Sequence, residues 1–391
     1  TRGITGIAVA CLPLIMAGIL ALEKCFGSKN EQEKEEDSKM YKRYREIVSS
    51  LPSNDYWGDT MRLYKGFWQM GYLVPGIMAF EDNFKARETD IILTTLPKAG
   101  TTWTKALTFA ILTRDVNHPS SPTHPLLFFN PHSCVQNLEY LYMGRENTMP
   151  DLDMLNESPR LFAGHIPYSL LPASVLKSGT KIINISRNRK STFVSFWKFG
   201  NLINPDKLLD LEKSVDIFAS GISFCGPEWN FQAEFTNAAS TNSNLLLLSY
   251  EEMLEKPVEN VKKLAEFMGC GFTDDEEKQG IVDEIVKLCS FDNLKNQQVN
   301  KNGSSYNSKI DNKHFFRKGE VRDWANYLTS EMIKKLETAG KINESEKHLL
   351  SNKNLTNFNL NNYCEKSNIS LCLLSYSFVI NNFILLKKKK K

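Results

Sequence analysis

Residues Ile91–Trp103 read IILTTLPKAGTTW, and this stretch decides the fold. The apolar run Ile91–Leu96 has the length and composition of a buried strand, and the apolar stretch Ala106–Leu112 after the loop predicts a helix. A glycine-containing loop between a strand and a helix directs several backbone N–H groups at one point, which makes a cradle for an anion. The loop lacks the Gly-Lys-Ser/Thr ending of a Walker A motif, so kinase or ATPase activity is disfavoured.

Two further apolar runs, Lys181–Ser186 (KIINIS) and Leu245–Ser249 (LLLLS), also end at residues suited to a ligand, Arg187 and Tyr250. Longer helix-like stretches separate these runs. This alternation predicts an α/β protein with a three-layer, P-loop-like fold, in which helices flank a central parallel sheet. Because ligands bind outside the carboxyl ends of parallel strands, we expect the three motifs to converge on one site.

Two basic clusters extend the candidate site. RNRKSTFVSFWKF covers 187–199 and FFRKGEVRDW covers 315–324. Their arginines and lysines offer charge-assisted hydrogen bonds, a serine offers a hydroxyl, and a glycine offers a bare backbone N–H. Three aromatic residues could flank a flat base, so the pattern predicts a doubly phosphorylated nucleotide. The candidates are Arg187, Ser195, Arg317, Lys318 and Gly319 for a second phosphate, with Trp103, Tyr250 and Phe291 for the base.

The charge balance and the cysteines limit the possible partners. The 391 residues carry 48 basic and 45 acidic side chains, and without the terminal Lys387–Lys391 run the chain has 43 basic residues. A near-neutral body argues against a nucleic-acid partner, since phosphate-tracking surfaces show a strong basic excess. The eight cysteines are scattered without close pairs, which favours a reducing compartment and predicts no structural metal.

Both ends differ from the middle of the chain. We expect residues 1–40 to be an atypical extension, an apolar stretch followed by a charged linker, and residues 41–338 to form the catalytic domain. Residues 339–391 are expected to be a disordered or read-through tail, because a terminal lysine run is what a translated adenine tract gives. A membrane anchor through residues 3–22 is the less favoured interpretation, since that stretch contains Pro13 and three glycines.

Together the motifs resemble the cytosolic sulfotransferase family, in its plant flavonol and hydroxyjasmonate branch, over about Tyr41–Glu337. The family signatures are Lys-Ser-Gly-Thr-Thr-Trp, Arg-Asn-Pro-Lys-Asp-Thr leading to a serine, and Arg-Lys-Gly followed by Gly-Asp-Trp. One such match is weak, but three in order at similar spacing are specific. The matching segments here are Lys98–Trp103 with Ala99 in place of serine, Arg187–Thr192 with Ser195, and Arg317–Gly319 with Arg322–Trp324.

The resemblance implies a cytoplasmic enzyme that moves a sulfuryl group from 3′-phosphoadenylyl sulfate (PAPS) to a hydroxyl of a small acceptor, such as a phenol, a flavonoid or a hydroxylated hormone. It implies His165 as general base, from the Gly164–Pro167 segment. The residues alone leave five other histidines open: His118, His124, His132, His314 and His348. The implied catalytic residues are His165, Lys98 and Ser195. The implied donor-binding residues are Lys98, Ala99, Gly100, Thr101, Thr102, Trp103, Arg187, Ser195, Tyr250, Phe291, Arg317, Lys318 and Gly319.

The sequence departs from the family pattern near the proposed base and in the third motif. Gly164 stands where the family has threonine, Arg322 replaces a glycine, and Ala325 replaces a lysine. GPEWNFQAEF, residues Gly226–Phe235, loses a histidine and a second tryptophan. Two alternatives stay open. One is a nucleotide-binding pseudoenzyme, and the other is a membrane-anchored Golgi sulfotransferase.

Overall fold

A central sheet of parallel strands organises the protein. A computed structural model of the chain describes residues 25–27, 29–145, 147–155, 158–304 and 310–341. The central sheet has the strand order β5-β4-β6-β7, and a smaller antiparallel sheet has the order β1-β2-β3. The strands are β1 Ser53–Asn54, β2 Met61–Tyr64, β3 Phe67–Met70, β4 Ile91–Thr95, β5 Leu161–Gly164, β6 Lys181–Ser186 and β7 Leu245–Ser249.

Helices surround the sheet, joined by short 3₁₀ turns at Pro125–Leu127, Leu152–Met154, Tyr168–Leu170, Asn312–Phe315 and Asp323–Asn326. The α-helices are α1 Glu31–Ser50, α2 Val74–Asn83, α3 Thr101–Thr113, α4 Pro131–Cys134, α5 Leu138–Leu141, α6 Ala173–Lys177, α7 Arg189–Ile203, α8 Leu211–Ala219, α9 Glu228–Ala239, α10 Tyr250–Glu255, α11 Pro257–Met268, α12 Asp274–Lys278, α13 Ile281–Leu288, α14 Phe291–Asn296, α15 Gln298–Asn302 and α16 Ser330–Thr338.

The parallel sheet is covered on both faces, so its strands are apolar almost throughout. Successive side chains of a strand point to opposite faces, and β4 divides accordingly. Ile92 packs in a core with α2, α7 and α9, whereas Ile91 and Leu93 pack in a second core with α3, α11 and α13. The predicted three-layer α/β fold is confirmed. The three predicted strands match β4, β6 and β7, with β4 one residue shorter, and the predicted helix starts earlier, at Thr101.

The charged stretch before residue 41 is helical. Asn30 caps α1 in a reciprocal capping box with Glu33, and the helix buries Asp37, Tyr41, Tyr44 and Val48 along one side. The spacing of these four residues is that of an amphipathic helix, which the many surrounding charges conceal in the sequence. The linker expected here is therefore helical from Glu31, and the expected boundary at residue 40 falls inside α1.

The two unusual ends fall mostly outside the described residues, which exclude 1–24 and 342–391. The apolar stretch at 3–22 and most of the expected tail belong to these parts. Among the helices of the described residues, none combines the length and the apolar character needed to cross a bilayer.

One buried ion pair fixes the starts of β4 and β5. Arg160 Nε lies 2.7 Å from Asp90 Oδ1 and Arg160 Nη2 lies 2.5 Å from Asp90 Oδ2, and both residues are almost completely buried. Two of the three remaining guanidinium protons go to the carbonyls of Leu152 and Lys85. The backbone continues this connection, since Ile91 N donates to the Arg160 carbonyl at 2.9 Å. The pair thus sets the register from which both strands run toward the site.

We expect Asp90→Asn to lower the free energy of unfolding by about 3–5 kcal/mol, because it leaves the Arg160 charge buried without a counter-charge. Urea unfolding followed by circular dichroism measures the change. Glu277→Gln is the control, since its ion pair with Lys262 is about two-fifths exposed and should change stability by less than about 1 kcal/mol. Equal effects of the two substitutions would contradict the role given to the buried pair.

Candidate active site

A large cavity opens at the carboxyl ends of the parallel strands, with a volume of about 1200 Å³. Residues that follow β4, β5, β6 and β7 all reach it, as the convergence of the motifs required. Every predicted site residue except Ala99 lines this cavity. These residues are Lys98, Gly100, Thr101, Thr102, Trp103, His165, Arg187, Ser195, Tyr250, Phe291, Arg317, Lys318 and Gly319.

The loop between β4 and α3 has the backbone of an anion cradle. Gly100 caps α3 with a φ of +119°. As at the start of any α-helix, the first N–H groups of α3 have no partners within the helix. A side chain at Gly100 would also come within 2.8 Å of the Tyr250 ring. Ala99 corrects the sequence prediction. Its side chain is fully buried and its N–H donates to the Leu96 carbonyl at 3.1 Å, so it closes the turn rather than facing the cavity.

The two loop threonines have different partners. The Thr101 hydroxyl lies 2.6 Å from the hydroxyl of Thr95, at the end of β4. The Thr102 hydroxyl lies 2.9 Å from Nε2 of His132, across the mouth of the cradle. Thr101 is therefore held against the sheet, whereas Thr102 belongs to a chain of side chains that starts outside the loop.

Lys98 brings a cation to the cavity and has no carboxylate partner in the described part of the chain. Its Nζ lies 3.9 Å from the centre of the Phe199 ring, and its φ is +69°. Burial, and then the charges of Arg187 and Arg317, lower the pKa of Lys98 to about 7. Within the described residues only Arg317 of these three basic side chains has a carboxylate partner, which indicates a site built for a negative ligand.

The second basic cluster has unused donors. Arg187 donates to the carbonyls of Lys98 and Glu320 at 3.0 and 3.2 Å, and its guanidinium carbon lies 4.3 Å from the centre of the Tyr250 ring. Within the described residues, Nε of Arg187 and Nε of Arg317 are buried and lack partners. Buried polar groups normally have partners, so these two N–H groups fit the oxygens of an anion.

Asp323 organises the third motif. It accepts hydrogen bonds from Arg317 and from Lys318, the latter at 2.8 Å. Burial opposes the ionised form, but the hydrogen bonds from Lys318 and Arg317 hold the pKa of Asp323 at about 2. The carboxylate therefore stays charged and aligns both basic side chains. Gly319, with a φ of +74°, crosses the Phe291 ring so closely that a Cβ would lie 2.8 Å from it.

The aromatic candidates divide into two kinds. Tyr250 is buried, and its ring contacts both Gly100 and the Arg187 guanidinium, so it supports the loop from below. Trp103 meets Tyr250 edge-on, with 5.6 Å between ring centres. Trp103 and Phe291 are half-buried and line the cavity.

His165 follows β5 directly and is fixed at both its ring and its backbone. Its Nδ1 lies 2.7 Å from the Thr95 carbonyl, to which it must donate. The neutral ring therefore keeps an unshared pair on Nε2, which has no partner in the described residues and faces the cavity. Its backbone N donates to Glu139 Oε1 at 3.1 Å. Burial lowers the pKa of His165 to about 4. The ring is thus an unprotonated base at neutral pH.

Sequence reasoning missed a buried polar group beneath the loop, formed by Lys105, His132, Asn137 and Glu139. A lysine that is the one charged residue of α3 was the available signal. Gly164, one of the departures from the family pattern, also belongs here. A Cβ at Gly164 would lie 2.9 Å from Glu139 Oε2, an oxygen that has no partner in the part of the chain described. The glycine thus leaves room for this carboxyl beside the backbone of His165.

The comparisons with known proteins agree on one family. The model of the sulfotransferase domain matches residues 88–350. Cytosolic sulfotransferase 6 of Arabidopsis thaliana is 43% identical over 297 residues, which cover 74% of this chain and 89% of that protein. Cytosolic sulfotransferase 5 of the same plant is 43% identical over 296 residues, with 74% and 91% covered.

Solved structures give the same result. An Arabidopsis thaliana sulphotransferase superposes with a TM-score of 0.59 at 34% identity, over 75% of this chain and 90% of that one. Mouse sulfotransferase SULT7A1, complexed with PAP, superposes with a TM-score of 0.55 at 24% identity, over 74% and 99% of the two chains, and supports the fold. With the family model covering the central sheet and most of the residues that line the cavity, this chain belongs to the sulfotransferase family, together with the cytosolic sulfotransferases of plants.

Proposed function

We propose that this protein transfers a sulfuryl group from PAPS to the hydroxyl of a small acceptor. The observation that carries the proposal is the shared cavity, which holds a cationic anion cradle and an unprotonated histidine. The cradle supplies Lys98 and the N–H groups of the α3 N-terminus, and His165 presents Nε2 to the same space. This is the combination that transfer of an anionic group to a hydroxyl requires.

The donor site divides into two anion positions. When bound, PAPS supplies the activated sulfuryl group on its 5′-phosphate. Lys98, Thr101, Thr102 and the N–H groups of 100–103 would hold that end. Arg187, Ser195 and the Arg317–Gly319 segment would hold the 3′-phosphate, for which the unpartnered Nε groups of the two arginines are suited. Trp103 and Phe291 would flank the adenine, with Tyr250 behind them.

His165 acts as the general base. Its Nδ1–H is committed to the Thr95 carbonyl, so Nε2 can accept a proton only from the cavity. The same hydrogen bond stabilises the imidazolium that forms, because the negative end of the carbonyl dipole faces the positively charged ring. Lys98 and the loop N–H groups stabilise the negative charge that grows on the 5′-phosphate as the sulfuryl group leaves. Positioning and charge stabilisation together account for this class of reaction.

The acceptor would occupy the part of the cavity on the far side of His165. Aromatic and apolar side chains line it, among them Trp57, Met70, Tyr140 and Phe224. Phe224 meets the His165 ring edge-on, with 5.5 Å between ring centres, and so limits how an acceptor approaches Nε2. These walls favour a flat or apolar hydroxylated molecule, such as a phenol, a flavonoid or a hydroxylated hormone.

We also infer the extent of the catalytic domain. The predicted bounds are 41–338, and we extend the start to Glu31, where α1 begins. Arg189 supports the later boundary, because its guanidinium donates to the carbonyls of Leu336 and Ala339 and so holds the end of α16 against α7.

We expect His165→Ala to lower kcat for sulfuryl transfer by about 10² to 10⁴ fold, because the acceptor hydroxyl loses its base. Transfer of radiolabelled sulfate from PAPS to a panel of phenols, flavonols and hydroxylated hormones measures the change. Binding of adenosine 3′,5′-bisphosphate (PAP), the nucleotide left after transfer, should be retained. His118→Ala is the control, since His118 is half-exposed and outside the cavity. Tight PAP binding by the wild type without transfer to any acceptor would contradict the proposed function.

We expect the affinity for PAP to fall as the pH rises above about 7, by up to tenfold per pH unit. The pKa of Lys98 in the free protein is about 7, so the ammonium is present below that pH. Above it, PAP must either bind the neutral amine or lose part of its binding free energy to protonation of the amine. Calorimetric titration across pH 6–9 measures the affinity. Lys98→Arg stays protonated and should flatten the profile. A decline that persists in Lys98→Arg would contradict the assignment of the pH dependence to Lys98. It would point instead to Lys105, whose pKa also lies at about 7.

A further inference from the structure

A chain of three side chains runs from the buried core to the anion cradle. It begins at Lys105 in α3, continues through the ring of His132 in α4, and ends at the hydroxyl of Thr102. Lys105 Nζ lies 3.2 Å from His132 Nδ1, and His132 Nε2 lies 2.9 Å from Thr102 Oγ1. Both ring nitrogens of His132 are therefore engaged, and the ring lines the same cavity as the candidate active site.

The position of the His132 ring is determined from several sides. Asn130 caps α4, and its Oδ1 accepts from the His132 N–H at 2.9 Å. Asn130 is itself held by Asn300, whose Oδ1 lies 2.8 Å from its Nδ2. On its flat face, the ring packs against Phe315 with 4.3 Å between ring centres. In a neutral imidazole fixed in this way, the partner of one ring nitrogen determines whether the other ring nitrogen donates or accepts.

The number of acceptors around Lys105 sets that direction. An ammonium has three protons and accepts none. Lys105 Nζ lies 2.8 Å from the Val135 carbonyl, 2.5 Å from Asn137 Oδ1 and 3.2 Å from His132 Nδ1, and the side chain is 1% exposed. Its three protons thus have three acceptors. His132 Nδ1 must accept, so the ring proton is on Nε2 and is donated to Thr102 Oγ1.

The consequence for the cradle is a directed hydroxyl. Thr102 Oγ1 accepts from His132, so its own proton is available to another acceptor. We propose that Lys105 and His132 are positioning residues that turn the Thr102 hydroxyl into a hydrogen-bond donor toward the anion in the cradle. The inference rests on the proposed function for the identity of that anion, the 5′-phosphate end of the nucleotide. Thr101 differs, because its hydroxyl pairs with Thr95 and has no such chain behind it.

The charges around the chain favour a neutral His132. Burial, and then the charges of Lys105, His165 and Lys98, lower the pKa of His132 well below its usual value. Burial also lowers the pKa of Lys105, while Glu139 and Cys134 act in the opposite direction. With a neutral ring, His132 can donate from only one nitrogen, and the lysine decides which one.

The first test needs no ligand. Nitrogen NMR of the imidazoles in the free, full-length protein, at about pH 6 and thus below the Lys105 pKa of about 7, identifies the tautomer of His132. The signal is assigned by its loss in His132→Gln, and His118 serves as the exposed reference. We expect an unprotonated Nδ1 and a protonated Nε2. The opposite tautomer, or a doubly protonated ring, would overturn the inference.

The second test is a double-mutant cycle on PAP affinity. His132→Phe keeps the ring packing and removes both nitrogens, and Thr102→Val removes the hydroxyl. Each should weaken PAP binding about tenfold, the size expected for a hydrogen bond to a charged group. The double variant should lose little more PAP affinity than either single variant, because both substitutions remove the same directed hydrogen bond. If the loss of PAP affinity in the double variant equals the product of the two single losses, the inference is overturned. Unchanged PAP affinity in His132→Phe would also overturn it.

Conservative variants separate positioning from folding. His132→Gln places an amide near the Nε2 position and should restore most of the PAP affinity, whereas His132→Asn reaches only the Nδ1 position and should bind as weakly as Thr102→Val. Thr108→Val is the matched control in the same helix, since that hydroxyl bonds only to the carbonyls of Thr104 and Lys105. Equal losses in His132→Gln and His132→Asn would indicate a merely structural histidine and overturn the inference.

The two proposals fail in different ways. Wild-type protein that binds PAP but transfers no sulfuryl group contradicts the proposed function, and the tautomer and the cycle still decide the role of His132. Wild-type protein that transfers normally, with the wrong tautomer or an additive cycle, contradicts only the positioning chain.

Discussion

The parallel pairing of β4 with β5 on one side and with β6 on the other is the constraint on which the site depends. Because these strands run in one direction, the residues that follow them emerge at one edge of the sheet. The cradle follows β4, the base follows β5 and an arginine follows β6, although they lie far apart in the sequence. The buried Asp90–Arg160 pair sets the starts of β4 and β5, and the hydrogen bond from His165 to the Thr95 carbonyl joins their ends.

Burial of basic side chains that carboxylates balance only in part gives the cavity its chemistry. Lys98, Arg187 and Arg317 approach one another, and for Lys98 and Arg187 the first cause of a lowered pKa is desolvation. The same desolvation keeps His165 unprotonated. An anion in the cradle would relieve the repulsion among the cations and leave the histidine free to accept a proton. One physical effect thus lowers the pKa both of the cradle lysine and of the histidine that lines the same cavity.

Several side chains occupy space that is free only because the neighbouring residue is a glycine and has no Cβ. Gly100 lets the loop pass over Tyr250, and Gly319 lets the third motif cross Phe291. Gly164 leaves space for Glu139, whose carboxyl in turn holds the backbone of His165. The departure from the family pattern at Gly164 therefore belongs to the support of the base. Its effect is transmitted through the backbone, since the ring of His165 is held separately by Thr95.

The sequence by itself determined the α/β class, the three strands and the loop that binds the anion, because apolar runs and glycine positions are local properties of the chain. Every site residue that it named lines the cavity except Ala99, and the choice of His165 among six histidines needed the family resemblance. Only the tertiary structure decided the partners: the pairing of Asp323 with two cations, and the chain from Lys105 through His132 to Thr102. These contacts join residues by distance and direction in three dimensions, and no periodicity in the sequence records them.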